Sequence, residues 1–379
     1  MSDEPPLILH VIHHLFIGGM ENGLVNLINR MPASRFRHAI ACVEDYSDFR
    51  QRLARSDVDV FALNRSRVGV WAVRRELFGL CRRLRPRIVH TRGMSGLDAL
   101  LPSRLAGTPS RVHGEHGWDV HDLHGSSSKQ VWLRRLHSPL VDRYITVSKH
   151  LERYLVERVG IRPSRITQIH NGVDTERFSP AARAERSALP AGFADVDSIV
   201  IGTVGRLQAV KDQATLIRAF ARLARQPEGA RLRLVIVGGG PLARQLQALV
   251  AELGIERQTW LAGPLTDVRH VLGCLDVFVL SSLQEGISNT ILEAMATGLP
   301  VVATAVGGNL ELVIDRRTGR FFEPGDVAKL AGVIREYAGD APQRREHARL
   351  ARQRAEQVFG LPVMVESYQR VYEELCSAG

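Results

Sequence analysis

The sequence predicts an α/β protein built from two parallel-sheet domains. Short apolar runs alternate with helical segments from Leu7 onward, the pattern of strands that are covered on both faces. The same alternation restarts at Ser198, after a polar, Ala/Arg/Pro-rich segment from Thr175 to Asp197 that reads as a connection between domains. A chain of 379 residues, 45% hydrophobic and 24% charged, is long enough for two or three domains with their own cores.

Taken in order, Leu7 to Val11 is a strand, a loop holding Gly18-Gly19 follows, and Met20 to about Arg30 is a helix. Strands are expected at Ala39 to Val43 and Val58 to Leu63, then a helix over 71–84, a strand at Arg87 to Thr91 and a helix near 96–106. A strand at Arg111 to His116, a helix over 129–141 and strands at 144–147 and 166–169 complete the first half, which ends in the turn Asn171-Gly172-Val173-Asp174. The second half places strands at Ser198 to Val204, Leu232 to Val237, Thr259 to Ala262, 276–280 and 300–303. Helices are expected over 212–225 and 241–253, and three more (326–338, 342–358 and 362–376) end the chain. Two sheets imply two domains and a cleft.

Composition narrows the function classes. No apolar run approaches the ~18 residues of a membrane span. The opening Met-Ser-Asp-Glu-Pro-Pro lacks a basic leader region, so a cytoplasmic location is expected. Cys42, Cys81, Cys274 and Cys376 show no metal or framework spacing, which suggests free thiols. The net charge of +10 is concentrated in residues 51–150, and nine arginines between Arg65 and Arg92 are threaded through Val70, Trp71, Val73, Leu77 and Leu80 at helical spacing. Such a helix packs its apolar stripe on a sheet and leaves an arginine face for water or for an anionic membrane surface. With few interleaved aromatics and no nucleic-acid module, nucleic acid is not an expected partner.

The richest stretch is residues 277–308. Val277 to Leu280 reads as a buried strand, Ser281 to Ser288 as the loop beyond its carboxyl end, and Asn289 to Thr297 as a helix stopped by Gly298-Leu299-Pro300. Ligands in open α/β sheets bind at that end. The amides of Gly286, Ile287, Asn289 and Thr290 open a helix N-terminus suited to phosphate or sugar oxygens. Glu285 and Glu293 stand eight positions apart across the turn, and a carboxylate that accepts two vicinal hydroxyls suits either a ribose or a sugar. After the strand at 198–204, Arg206 and Lys211 put two cations on one loop, able to neutralise a leaving diphosphate without a metal. Lys211 is one of only four lysines. Gly18-Gly19 lets backbone approach a ligand closely, but it is not a G-x-G-x-x-G and does not point to a nicotinamide cofactor.

These residues resemble the E-x7-E signature of the retaining, nucleotide-sugar-dependent glycosyltransferases of family 4. The resemblance covers nearly the whole chain. It implies the GT-B fold, two Rossmann-like domains whose parallel sheets face across a cleft, with residues 1–174 as the acceptor-side domain and 175–361 as the nucleotide-sugar domain. It also implies that the last helix, about 362–379, packs back on the first domain. By the same match Glu285 contacts the transferred sugar, Glu293 the ribose, Arg206 and Lys211 the diphosphate, Gly18-Gly19 the donor and His116 the sugar near its reacting end. The base is expected against backbone near Gly263-Pro264-Leu265. No cofactor is implied beyond the nucleoside-diphosphate sugar itself, and no metal. The wording EGISNTILEAMA and HTRG is similar to exopolysaccharide sugar transferases of PEP-CTERM/exosortase loci. That similarity suggests a glycan or lipid-linked acceptor at the inner membrane face.

Two metal readings compete with this one. His113 and His116 with His121 or His124 have zinc-like spacing, but strand alternation sends His113 and His116 to opposite faces; Asp119 is a weaker neighbour candidate for the sugar. Asp57-Val-Asp59 and Asp195-Val-Asp197 each precede a strand and read as turns. Ile287-Ser288-Asn289 and Arg92 depart from the residues common in the family, which leaves the donor open. The alternatives to a transferase are a nucleotide-sugar 2-epimerase of the same fold and a non-enzymatic basic binding protein.

Overall fold

A computed structural model describes residues 4–117, 125–180 and 186–377. The chain divides into two compact units. Unit 1 holds the residues up to Gly172 together with those from Leu361 onward, and unit 2 is Val173–Gly360.

Unit 1 is a seven-stranded sheet of β1 (Leu7–Ile12), β2 (Arg37–Cys42), β3 (Asp59–Ala62), β4 (Ile88–Arg92), β5 (Ser110–Glu115), β6 (Arg143–Thr146) and β7 (Ile166–Gln168). The strands run in the order β3-β2-β1-β4-β5-β6-β7, all parallel. Period-two alternation sorts their side chains. Ile8, Ile88, Val112 and Ile145 face one side and are covered by Leu361, Met364, Val365, Tyr368 and Tyr372 of the helix Leu361–Ser377. Leu9, Val11 and Val89 face the other side against Val73, Leu77 and Leu80 of the helix Val70–Leu84. Burying one such side chain contributes about 1.5–3 kcal/mol.

Unit 2 repeats the plan with β8 (Ile199–Val204), β9 (Leu232–Val237), β10 (Thr259–Gly263), β11 (Val277–Leu280), β12 (Val301–Thr304) and β13 (Gly319–Phe322). Their order is β10-β9-β8-β11-β12-β13, again all parallel. The helices Gln213–Ala224 and Val327–Gly339 cover one face through Leu216, Phe220, Leu330, Ile334 and Tyr337. Arg352, on the helix Ala341–Phe359, bonds the carbonyls of Thr175 and Phe178 at 2.9 and 2.7 Å, fastening the start of unit 2 to its body.

Several elements differ from expectation. The helix expected near 96–106 is present but starts earlier and is segmented, as Gly93–Gly96, a tighter 3-10 turn Leu97–Ala99 and Leu100–Leu105, with Pro102 lacking an amide donor for a regular helical bond. A helical stretch from Lys149 to Val159, a short helix Arg269–Gly273 and the edge strand β13 were not anticipated. In both sheets the order reverses beside the first strand of the unit, between β1 and β4 and between β8 and β11. Ligands bind in open α/β sheets beyond the strand ends at such a switch point.

Candidate active site

In unit 2 the loops after β8 and β11 flank the switch point and carry the charged residues. Gly205 is tied to the carbonyl of Val237 at 3.0 Å and Leu207 to that of Gly239 at 2.9 Å, so the loop after β8 lies along the one after β9. Arg206 is exposed. Lys211 ends the short turn Ala209–Lys211, and Asp212, in left-handed backbone, caps the next helix through its side chain. Ser281 donates to the carbonyls of Lys211 and Asp212 at 3.1 and 2.8 Å, which joins the two loops directly.

The result is an ion pair across the switch point, Lys211 Nζ to Glu285 Oε1 at 2.5 Å. Ser282 Oγ donates to the same oxygen at 2.6 Å, and Glu285 is only 9% exposed. A third loop locks the carboxylate's backbone. Gly307 is left-handed, and a Cβ there would stand 1.9 Å from the Glu285 carbonyl oxygen, so only glycine lets this segment close. Ser288 then caps the helix Asn289–Ala296 by accepting from the Ile291 amide at 3.3 Å. Asn289 and Thr290 thus occupy the first turn, where the dipole favours an anion. Glu293 lies one turn further in and is partly exposed, as is Gly286, whereas Ile287 is buried. Leu265, 39% exposed, follows β10, two strands away from β8.

In unit 1, Gly18 caps the helix Gly19–Arg30. A Cβ on Gly18 would collide with Glu21 Oε2 at 2.1 Å, and Glu21 in turn faces His14 at 3.4 Å. His116 follows β5. Burial, then the Arg92 charge, lowers its pKa to about 3, which makes it a neutral imidazole at ordinary pH. His113 points to the opposite face, where Thr91 Oγ1 meets its Nδ1 at 2.8 Å. Glu115 there forms a forked pair with Arg134 at 2.6 and 3.2 Å. Burial opposes the Glu115 charge, but Arg134 and His113 outweigh it and hold this carboxyl well below its usual range. His113 and His116 therefore cannot close on one ion, and no three ligand side chains converge among the described residues. Asp119, His121 and His124 lie outside the described residues.

Sequence reasoning missed two features. One is the Gly238-Gly239-Gly240 loop that supports Arg206, signalled only by its three consecutive glycines. The other is the place of Arg92, noted above only as a departure from the residues common in the family. It is 1% exposed, bonded to His10 Nδ1 at 3.0 Å and to the hydroxyls of Tyr368 and Tyr372. Its strand position sends it beneath the last helix, away from the surface.

Residues 17–177 match the family described as Glycosyltransferase Family 4, and residues 198–340 match Glycosyl transferases group 1. A glycogen synthase of Mycobacterium tuberculosis is 31% identical over 79% of this chain and 72% of its own length. The chain belongs to the family 4 glycosyltransferases. The transferase is also similar to the UDP-Gal:alpha-D-GlcNAc-diphosphoundecaprenol alpha-1,3-galactosyltransferase of Escherichia coli, 29% identical over 68% of each chain. Among solved structures, Anabaena HepE in complex with UDP and glucose overlays the transferase with a TM-score of 0.83. That overlay covers 97% of this chain and all of the other, at 21% identity. The fold is therefore GT-B, and this chain is an α/β enzyme of the transferase class.

Proposed function

We propose that this glycosyltransferase moves a sugar, with retention, from a nucleoside diphosphate to a glycan or lipid-linked acceptor of envelope or exopolysaccharide synthesis. The observation that carries the reading is the Lys211–Glu285 pair at the unit 2 switch point, beside Arg206 and a helix N-terminus. As the sugar departs, charge builds on the leaving phosphate. Arg206, Lys211 and the amides of Asn289 and Thr290 are preorganised to stabilise it. Glu293 holds the ribose, Glu285 with Gly286 and Ile287 the sugar, and the base rests on backbone near Leu265. For Gly18, Gly19 and His116 of unit 1 the donor role rests on the family resemblance alone, and a neutral His116 ring could bond sugar hydroxyls without adding charge.

Support for the donor class comes from HepE, whose structure contains UDP and glucose, and for the acceptor class from the diphosphoundecaprenol relative. Peripheral attachment to an anionic membrane face belongs to the same proposal. No helix among the described residues is long and apolar enough to cross a membrane. The unit 1 helix Val70–Leu84 shows water Trp71, 80% exposed, amid arginines.

Because side chains supply the positive charge, transfer is expected to persist in excess EDTA, and Lys211→Ala to lower kcat by orders of magnitude in a folded protein. Activity lost to EDTA and restored by manganese, or an unchanged Lys211→Ala rate, overturns the metal-free mechanism. Thermal stabilisation by UDP, GDP or ADP identifies the nucleotide, a ligand at ~100 times its Kd adding ~2.7 kcal/mol.

A further inference from the structure

Beneath the last helix of unit 1 lies a chain of buried imidazoles rooted on one cation. Arg92 has only donors to offer. It meets His10 Nδ1 at 3.0 Å, and His10 Nε2 meets His38 Nδ1 at 2.9 Å, so each ring accepts at Nδ1 and carries its proton on Nε2. Arg92 also faces His90 Nδ1 at 3.4 Å and bonds the Tyr372 hydroxyl, itself 2.7 Å from the same Nδ1. With Arg92 occupying the Tyr372 oxygen, that hydroxyl donates to His90 Nδ1. The His90 proton therefore sits on Nε2.

His90 is fully buried, and its Nε2 has no partner. The Nε2 of His116 is buried and unpartnered as well. Both converge on Gly114. The position a Cβ would take there is 2.7 Å from His116 Nε2 and 3.3 Å from His90 Nε2, so the two nitrogens share the space that glycine leaves. A buried polar group without a partner is costly. A small turn of the His116 ring removes both penalties at once, provided its Nε2 is a lone pair.

We propose that His90 is a positioning residue for His116. Its Nε2–H donates to His116 Nε2 over Gly114, placing the His116 proton on Nδ1, the nitrogen left for a ligand on this partly exposed ring. His116 then presents a donor, never an acceptor, to a substrate oxygen, and the buried Arg92 polarises that donor through His90. This rests on the reading of His116 as a substrate contact.

The test is the tautomer itself, read by long-range 15N–1H correlation on protein labelled at histidine, with His116 assigned through a His116→Gln variant. The wild-type spectrum is expected to show the His116 proton on Nδ1. A proton on Nε2 overturns the proposal, whether or not any variant folds. His90→Leu is expected to move it to Nε2, the form that free imidazole side chains prefer in water. The same change should lower kcat roughly ten- to a hundredfold, as removal of an outer partner does, with donor KM altered much less. His90→Gln, whose amide can donate in the same direction, should recover part of the rate. A His90→Leu protein with the wild-type His116 tautomer and rate refutes the relay. Full turnover by His116→Ala sinks the substrate role of His116 but leaves the tautomer result standing, so the two failures are distinguishable.

Discussion

Glu285 and Glu293 share one loop-and-helix segment, yet their surroundings differ enough to give opposite outcomes. Glu285 neutralises Lys211 through the 2.5 Å pair, so on the proposed reading this carboxylate competes with the donor phosphate for the same ammonium. Removing it frees a cation. Glu285→Ala is therefore expected to keep or raise nucleoside diphosphate affinity, by up to about fivefold if the partly exposed pair amounts to ~1 kcal/mol, while abolishing most sugar transfer. Glu293→Ala removes the proposed ribose contact and should weaken the same binding. Titration calorimetry with UDP decides, and an equal loss of affinity in both variants contradicts the division of roles. The E-x7-E spacing was legible because it is local in sequence. The ion pair was not, since Lys211 and Glu285 are 74 positions apart and only the adjacency of β8 and β11 brings them together.

At the scale of elements, buried strands were the easiest to read, because four or more consecutive apolar residues leave little alternative. β13 escaped since Gly319-Arg320-Phe321-Phe322 is a half-buried edge with a charge in its middle, and the Lys149–Val159 helix is too short for its periodicity to rise above the flanking strands. The basic helix Val70–Leu84 shows what pattern alone conveys. Its apolar stripe was visible, but the state of each arginine was not. Arg74 lies over Trp71 and pairs with Asp98 at 2.8 Å, so it is a poor reporter of lipid binding. Arg75, Arg82 and Arg83 are exposed. Near an anionic bilayer each contributes about 1 kcal/mol within a Debye length of ~8 Å. Co-sedimentation with anionic but not neutral liposomes is expected, released by salt and weakened when Arg75, Arg82 and Arg83 become Gln, with soluble-donor hydrolysis unchanged. Equal sedimentation with neutral vesicles would show a merely solvated helix face.

Across the whole molecule, buried histidines are distributed unequally. Unit 1 keeps His10, His38, His90 and His116 neutral, chiefly through burial and then through Arg92 or, for His38, Arg55 and Arg92; His38 and His116 fall to about 3. Unit 2 has one lowered histidine among its described residues, His347. The unfolded chain protonates such rings near pH 6.5, so below that value it binds protons the folded form refuses. Stability is fully present above ~6.5 and is lost as pH falls toward the folded values, by up to ~1.4 kcal/mol per pH unit per ring. Calorimetry at pH 7.5 and 5.0, with proteolytic mapping of what opens first, should show unit 1 yielding before unit 2. Coincident loss of both units, or no change, would contradict this.

The composition of unit 1 has a consequence for biosynthesis. Its sheet face bearing Ile8, Ile88, Val112 and Ile145 is closed by the helix Leu361–Ser377, yet the whole of Val173–Gly360 is translated in between. At the usual ~5–20 residues per second, that interval lasts on the order of 10–40 s. Throughout it, a nascent unit 1 has every strand it needs and no lid for one apolar face, with buried Arg92 still waiting for Tyr368 and Tyr372. Unit 2 needs no segment made after Gly360. Unit 1, although its strands are made first, is the last to finish folding, and during that delay its open face is where a chaperone or an aggregate would take hold.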